Sequence, residues 1–191
     1  MRLVVVRHTA VDVPMGVCYG HLDVALAQSS DDDIKRVSDS LRDYSFDAVY
    51  SSPLLRCTKL AEVFSDGVGY VSDKRLMELN FGRWEGCDWE DISDTQEAQF
   101  WFADWINGCC LGGESYLQLS SRVKEFLKDI KRIHRNKTVL VVTHGGVIRA
   151  LHCLINKVDI EDVFNIKVEY GNYIEFEIVE NVKKINSKPI I

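Results

Sequence analysis

Leu3-Val4-Val5-Val6-Arg7-His8-Thr9 opens the chain with four apolar residues in a row, three of them β-branched, and then turns abruptly to an arginine and a histidine. The run lacks the alternation of a strand with one wet face, so it reads as a strand covered on both sides, as in a parallel sheet between helices. Its Arg-His pair then falls at the strand's carboxyl end, where open α/β sheets bind ligands. A second run of the same kind, residues 138–142, ends in Thr143-His144-Gly145-Gly146.

Working outward from these runs, strand and helix signals alternate. Ile34, Val37 and Leu41 recur at helical spacing over residues 31–41, behind a cluster of acids that suits a helix N-terminus, and residues 47–50 follow as a short strand. Ser51-Ser52-Pro53 predicts another helix, with Ser52 as N-cap, Pro53 at the first helical position, Arg56 in the first turn and an end near Phe64. A brief strand is expected around Tyr70 and Val71. Residues 72–113 break the rhythm and hold all four tryptophans, which reads as a mainly helical insertion. Leu119, Val123, Phe126, Leu127 and Ile130 define an amphipathic helix over residues 114–133, residues 147–155 form the next, and residues 173–179 alternate like an edge strand. The expected fold is α/β: a three-layer α/β/α sandwich, mostly parallel, with helices on both faces and one domain over residues 1–191.

A chain of 191 residues buries roughly two thirds of its unfolded surface, and its 46% hydrophobic and 27% charged residues are those of a globular protein. The formal net charge of -6 provides no global field for nucleic acid or an anionic membrane, so an anionic ligand needs a local cationic cluster. The first apolar run is too short for a secretory signal and no stretch suits a bilayer span, so a cytoplasmic location is expected. The six cysteines lack C-x-x-C spacing, and two are adjacent, which fits neither a zinc knuckle nor a disulfide framework and suits a reducing compartment.

Three strand ends therefore carry chemistry: Arg7-His8, the 51–56 segment with Arg56, and His144 with Gly145 and Gly146. Two guanidinium groups, two imidazoles and two helix N-termini describe an anion site, with glycines that allow close backbone approach. No acidic ligand set accompanies the histidines and the neighbouring cations would repel a metal ion, so neither metal nor cofactor is expected. A phosphoryl group held by arginines can be attacked by a neutral imidazole, and the leaving oxygen then needs a carboxyl acid with a raised pKa. Glu78, between apolar neighbours, and Glu85, beside a tryptophan, are the candidates, with Glu78 preferred. These patterns alone leave His8 and His144 as alternative nucleophiles.

Five ordered blocks carry a resemblance that spans nearly the whole chain: Arg7-His8; Ser51-Ser52-Pro53-Leu54-Leu55-Arg56; Glu78-Leu79-Asn80-Phe81-Gly82-Arg83-Trp84-Glu85-Gly86; Gly112-Gly113-Glu114-Ser115; and Thr143-His144-Gly145-Gly146. The chain resembles the histidine phosphatase, or phosphoglycerate mutase-like, superfamily. The resemblance implies His8 as the phosphorylated nucleophile, Arg7, Arg56 and His144 as the phosphate pocket, and Glu78 as general acid and base. Thr9 stands where most members carry Gly. In that respect, and in Val17-Cys18-Tyr19-Gly20-His21-Leu22-Asp23-Val24, the chain looks like the α-ribazole-5'-phosphate phosphatase branch, which serves cobalamin biosynthesis. Thr9, Cys18, Tyr19, Gly20 and Gly145 would then help bind the substrate, a small phosphomonoester. A phosphoglycerate mutase, a broad-specificity phosphatase and a non-enzymatic phosphohistidine carrier or scaffold are the alternatives, and a homodimer is left open.

Bland roles are expected elsewhere. Phe100, Trp101, Phe102 and Trp105 sit at helical spacing and read as packing, with a lid as the sharper alternative. His134 ends a helix where a cation suits the dipole, and Glu114 at a helix start needs only the same explanation. His21 and His152 are not expected to be catalytic.

Overall fold

The computed structural model describes residues 1–65 and 69–179. Its five-stranded sheet has the order β3-β2-β4-β1-β5. The strands are β1 (Arg2–Arg7), β2 (Ala48–Ser51), β3 (Val71–Ser72), β4 (Thr138–Thr143) and β5 (Tyr173–Glu177). All neighbours are parallel except β5, which pairs antiparallel with β1 at the edge. The fold is thus the expected mixed, mostly parallel sheet with helices on both faces.

Side-chain alternation along the central strands divides the core. Leu3, Val5, Val139 and Val141 pack on α5 (Tyr116–Ile133) and α6 (Gly145–Asn156), against Phe126, Ile130, Ile148 and Leu151. Val4, Val6, Leu140 and Val142 pack on the other face against α1 (Ser30–Ser40) and α2 (Leu55–Val63), where Val37, Leu41 and Leu60 meet them. Both faces of β1 and β4 are dry, which is why neither strand alternates in sequence. A capping box starts α5, with Ser115 accepting from Gln118 N and Gln118 returning to Ser115 N.

The structure corrects four local expectations. First, α2 begins at Leu55 instead of Pro53. Leu54 takes the N-cap position with an extended backbone, and Ser52 lies two residues before it, its amide bonding Val142 O at 3.0 Å and its Oγ accepting from Leu54 N at 3.4 Å. Second, the 72–113 segment is less helical than predicted: beyond β3 it has 3-10 turns at Lys74–Leu76 and Gly82–Trp84 and two short helices, α3 (Trp89–Ser93) and α4 (Gln96–Ala103). The chain there wraps an aromatic cluster instead of extending a helix: Trp101 meets Trp84 edge-on at 5.6 Å and stacks with Trp89 at 6.5 Å. Third, Glu114 precedes the helix, and its carboxylate accepts from Asn80 N at 3.0 Å and pairs with Arg122. Fourth, the His134 ring is turned to a side-chain partner, its Nε2 lying 2.8 Å from Tyr50 Oη, and burial lowers its pKa from the ordinary value, which disfavours the cation expected for the helix dipole.

Candidate active site

The register of the sheet assembles the site. Arg7 pairs with Thr143 and Ser51 with Val142, so the residues just past β1, β2 and β4 end side by side. The His8 amide bonds Thr143 O at 2.9 Å, and the His8 and His144 rings meet edge-on with centroids 5.1 Å apart. Both rings are buried, as is Arg56. A cavity of about 640 Å³ opens above them, lined on its polar side by Arg7, His8, Tyr19, Arg56, Glu78, Tyr116, Gly146 and Arg149. A recess of about 750 Å³ lies at the other end of the sheet, against Arg2, Lys131, Lys137 and Glu177, and its described lining holds no histidine, cysteine or serine. The smaller cavity is the site.

Hydrogen bonding distinguishes the two histidines, as their positions in sequence could not. His8 Nδ1 lies 2.8 Å from the Thr9 carbonyl, which can only accept, so Nδ1 carries the proton and Nε2 keeps its lone pair. Nε2 has no hydrogen-bond partner among the described residues. His144 has both nitrogens engaged: Nδ1 accepts from Arg56 Nε at 3.3 Å and Nε2 donates to Ser52 Oγ at 2.8 Å. Burial, then Arg56 and Arg7, hold the His8 pKa well below its ordinary value; burial, then the His8 ring and Arg56, do the same for His144. Both imidazoles are neutral at physiological pH.

The guanidinium groups are tethered to backbone and have no counter-ion among the described residues. Arg56 donates to Leu22 O at 2.9 Å and Gly20 O at 2.6 Å, and Arg7 Nη1 donates to Val168 O at 2.6 Å while its guanidinium lies 3.9 Å from the centre of the Tyr170 ring. Arg7 Nε is buried without a partner, and neither arginine pairs with a carboxylate among the described residues. A buried cation such as Arg56, and a half-buried one such as Arg7, held only by neutral acceptors are costly unless an anion joins them. The same two residues repel a proton from His8, which keeps it nucleophilic.

Glu78 and Glu85 occupy different settings. Glu78 lines the cavity, its Oε1 and Oε2 accepting from Gly146 N at 3.1 and 3.0 Å and Oε1 from Leu79 N at 3.0 Å. A Cβ at Gly146 would collide with Glu78 Oε1, so glycine is what seats the carboxylate there. Glu85 is tied to the amides of Phe81, His21 and Leu22 and does not line the cavity. Arg122 fixes the backbone around Glu78 by donating to Met77 O at 2.6 Å and Glu78 O at 2.8 Å.

The remaining predicted contacts divide. Tyr19 lines the cavity, its hydroxyl 2.5 Å from that of Tyr170. Gly20 lies beneath the site: its carbonyl holds Arg56, and a Cβ there would collide with the Leu79 carbonyl. Gly145 stands at the head of α6 beside Arg7 and Arg149. Thr9 serves through its carbonyl; its hydroxyl is buried without a partner among the described residues. Cys18 is a correction: it packs fully buried in the hydrophobic core and does not line the cavity, its amide bonded to Cys87 O at 2.8 Å. The two helix N-termini are also partly occupied, Leu55 N by Asp23 and Gly146 N by Glu78, so the arginines carry more of the anion binding than sequence suggested.

Sequence reading missed Arg149 and the 164–170 segment, which supplies the Ile166 and Val168 carbonyls and the Tyr170 ring. Arg149 had left a signal as the one Lys, Arg, Asp or Glu in α6, four residues after Gly145. The carbonyls left none. The other wall of the cavity is aromatic, with Phe81, Trp89, Trp101, Phe102, Trp105 and Phe164. Trp101 is core packing, as expected, while Phe102 and Phe164 reach outward.

Neutral neighbouring imidazoles, a buried and a half-buried guanidinium without ion pairs among the described residues, and one cavity carboxylate at the strand ends of an α/β sheet define a phosphate-handling enzyme. The comparisons give its family: residues 3–188 match the histidine phosphatase superfamily (branch 1), and the chain belongs to it and is a phosphatase. It is 29% identical over 178 residues to phosphoserine phosphatase 1 of Hydrogenobacter thermophilus, covering 91% of this chain and 84% of that one. It is 28% identical over 199 residues to the adenosylcobalamin/alpha-ribazole phosphatase of Salmonella typhimurium, covering 100% and 98%. Among solved structures, the alpha-ribazole phosphatase of Shigella flexneri superposes with a TM-score of 0.89 at 25% identity, over 98% of this chain and 95% of that one. No helix among the described residues is long and apolar enough to cross a membrane.

Proposed function

We propose that the chain hydrolyses phosphomonoesters through a phosphohistidine at His8, with α-ribazole 5'-phosphate as its substrate and α-ribazole and inorganic phosphate as products. The observation that carries the mechanism is that, among the described residues, His8 Nε2 has no hydrogen-bond partner and the two guanidiniums beside it have no counter-ion, whereas both His144 nitrogens are taken. Arg7 and Arg56 hold the phosphoryl oxygens, and His144, which accepts from Arg56 Nε at 3.3 Å, positions that guanidinium. His8 Nε2 attacks phosphorus as the ester P–O bond breaks, and Glu78 gives its proton to the leaving alkoxide. Water then attacks the phosphohistidine, Glu78 takes back a proton, and the P–N bond breaks to free phosphate and neutral His8.

The aromatic wall supports the finer assignment. It offers flat apolar surface to a nucleoside-like leaving group. A phosphoserine ammonium would instead enter beside Arg7, Arg56 and Arg149, with Glu78 as the only carboxylate among the described lining residues. Measurement of kcat/KM on α-ribazole 5'-phosphate, phosphoserine and 3-phosphoglycerate tests the reading. A preference for the first is expected. A preference for phosphoserine overturns the substrate, and phosphoryl exchange between phosphoglycerates without phosphate release overturns hydrolysis.

A further inference from the structure

Arg149 stands where the two halves of the cavity meet. Its Nε donates to Ile166 O at 3.0 Å, which fixes the guanidinium plane and leaves both Nη groups without a hydrogen bond or ion pair among the described residues. On one side, a Cβ built at Gly145 would lie 3.0 Å from Arg149 Nη1 and 3.8 Å from Arg7 Cζ, so Arg149 borders the phosphate floor. On the other, its Cζ lies 6.0 Å from the centre of the Phe164 ring on the aromatic wall. A third guanidinium beside Arg7 adds like charge to a cavity whose described lining holds one carboxylate, Glu78. A half-buried, oriented and unpaired donor at the junction matches an acceptor that sits between a phosphoryl group and a flat ring.

We propose that Arg149 is a specificity-determining residue that donates through its Nη groups to an acceptor oxygen on the leaving alcohol, within a few bonds of the ester oxygen. The ligand class this selects is the sugar-type phosphomonoester, a pentose 5-phosphate or nucleoside 5'-phosphate, over a plain aryl phosphate that carries no such oxygen. The proposal rests on the phosphohistidine phosphatase reading above and names which part of the leaving group that site reads.

The test compares Arg149→Met and Arg149→Lys with the unaltered chain on phenyl phosphate, ribose 5-phosphate and adenosine 5'-phosphate. A hydrogen bond to a charged donor discriminates by about tenfold to a hundredfold. Arg149→Met is therefore expected to lose at least about tenfold more kcat/KM on ribose 5-phosphate and adenosine 5'-phosphate than on phenyl phosphate, mainly through KM. Arg149→Lys, with a point charge instead of a fork, should recover part of that difference. Turnover of phenyl phosphate by each variant reports that the catalytic floor is intact. Equal losses on all three esters would make Arg149 a phosphate ligand, and no loss on any would make it structural; either result overturns the proposal. An unaltered chain inert toward every ester would sink the phosphatase reading and this proposal with it, an outcome separate from a failure of Arg149 alone.

Discussion

The floor of the cavity and its aromatic wall enclose the same space but are held by different forces. On the floor, His8, Arg56 and His144 are buried at the ends of three parallel strands and fixed by directional bonds, most of them to main-chain carbonyls. The wall has few such bonds; Phe81, Trp89, Trp101 and Phe102 are placed by contact with one another, and Phe102 and Phe164 remain 48% and 61% exposed. Chemistry that needs sub-ångström placement thus sits on the sheet, and recognition that tolerates adjustment sits on the insertion and the 164–170 segment. The contrast can be tested one residue at a time.

His8→Ala should break the floor most completely. A drop in kcat of about a thousandfold or more is expected on every phosphomonoester, with an unchanged circular dichroism spectrum. Turnover like that of the unaltered chain would refute the nucleophile. Glu78→Gln comes next. Its kcat should fall by about a hundredfold on an ester with a poor alkoxide leaving group, and far less on 4-nitrophenyl phosphate, whose leaving group needs no proton. Equal losses on the two esters would remove Glu78 as the acid.

Acid should weaken the floor more than the wall. The folded His8 and His144 pKa values lie well below the ordinary 6.5, while the unfolded rings take a proton near that value. The unfolded state therefore binds more protons as pH falls below about 6.5, and stability that is complete above that point is lost on the way down. The melting temperature of the ligand-free protein should fall between about pH 6.5 and pH 5, and His8→Ala should flatten that fall. An unchanged pH dependence in the variant would show that His8 is not the group responsible. The smallest effect belongs to the wall. Phe102→Ala should raise KM for adenosine 5'-phosphate by about threefold to tenfold and leave kcat on ribose 5-phosphate unaltered. A kcat loss on both esters would mean that the wall shapes the floor after all.

The central strands were legible because residues dry on both faces must be apolar throughout, as Val4 to Val6 and residues 139–142 are. His8, Arg7, Arg56 and His144 were legible because strand ends are where such a sheet presents chemistry. What stayed hidden depended on partners that sequence does not display. The start of α2 turns on the extended backbone of Leu54, and the roles that resemblance assigned to His8 and Glu78 rest physically on which ring nitrogens are engaged and on which backbone amides each carboxylate meets. Cys18 was misplaced because a motif fixes neighbours along the chain and not the direction of a side chain, which here points into the core. The 164–170 segment contributes Ile166 and Val168 through carbonyls alone, which are identical in every residue.

The bond from His8 Nδ1 to the Thr9 carbonyl has a regiochemical consequence. With that nitrogen committed as a donor, an electrophile captured by the ring can bond only at Nε2, so the covalent adduct is a single regioisomer. Because the acceptor is main chain, the choice of isomer is inherited from the exit path of β1 and would survive replacement of the Thr9 side chain.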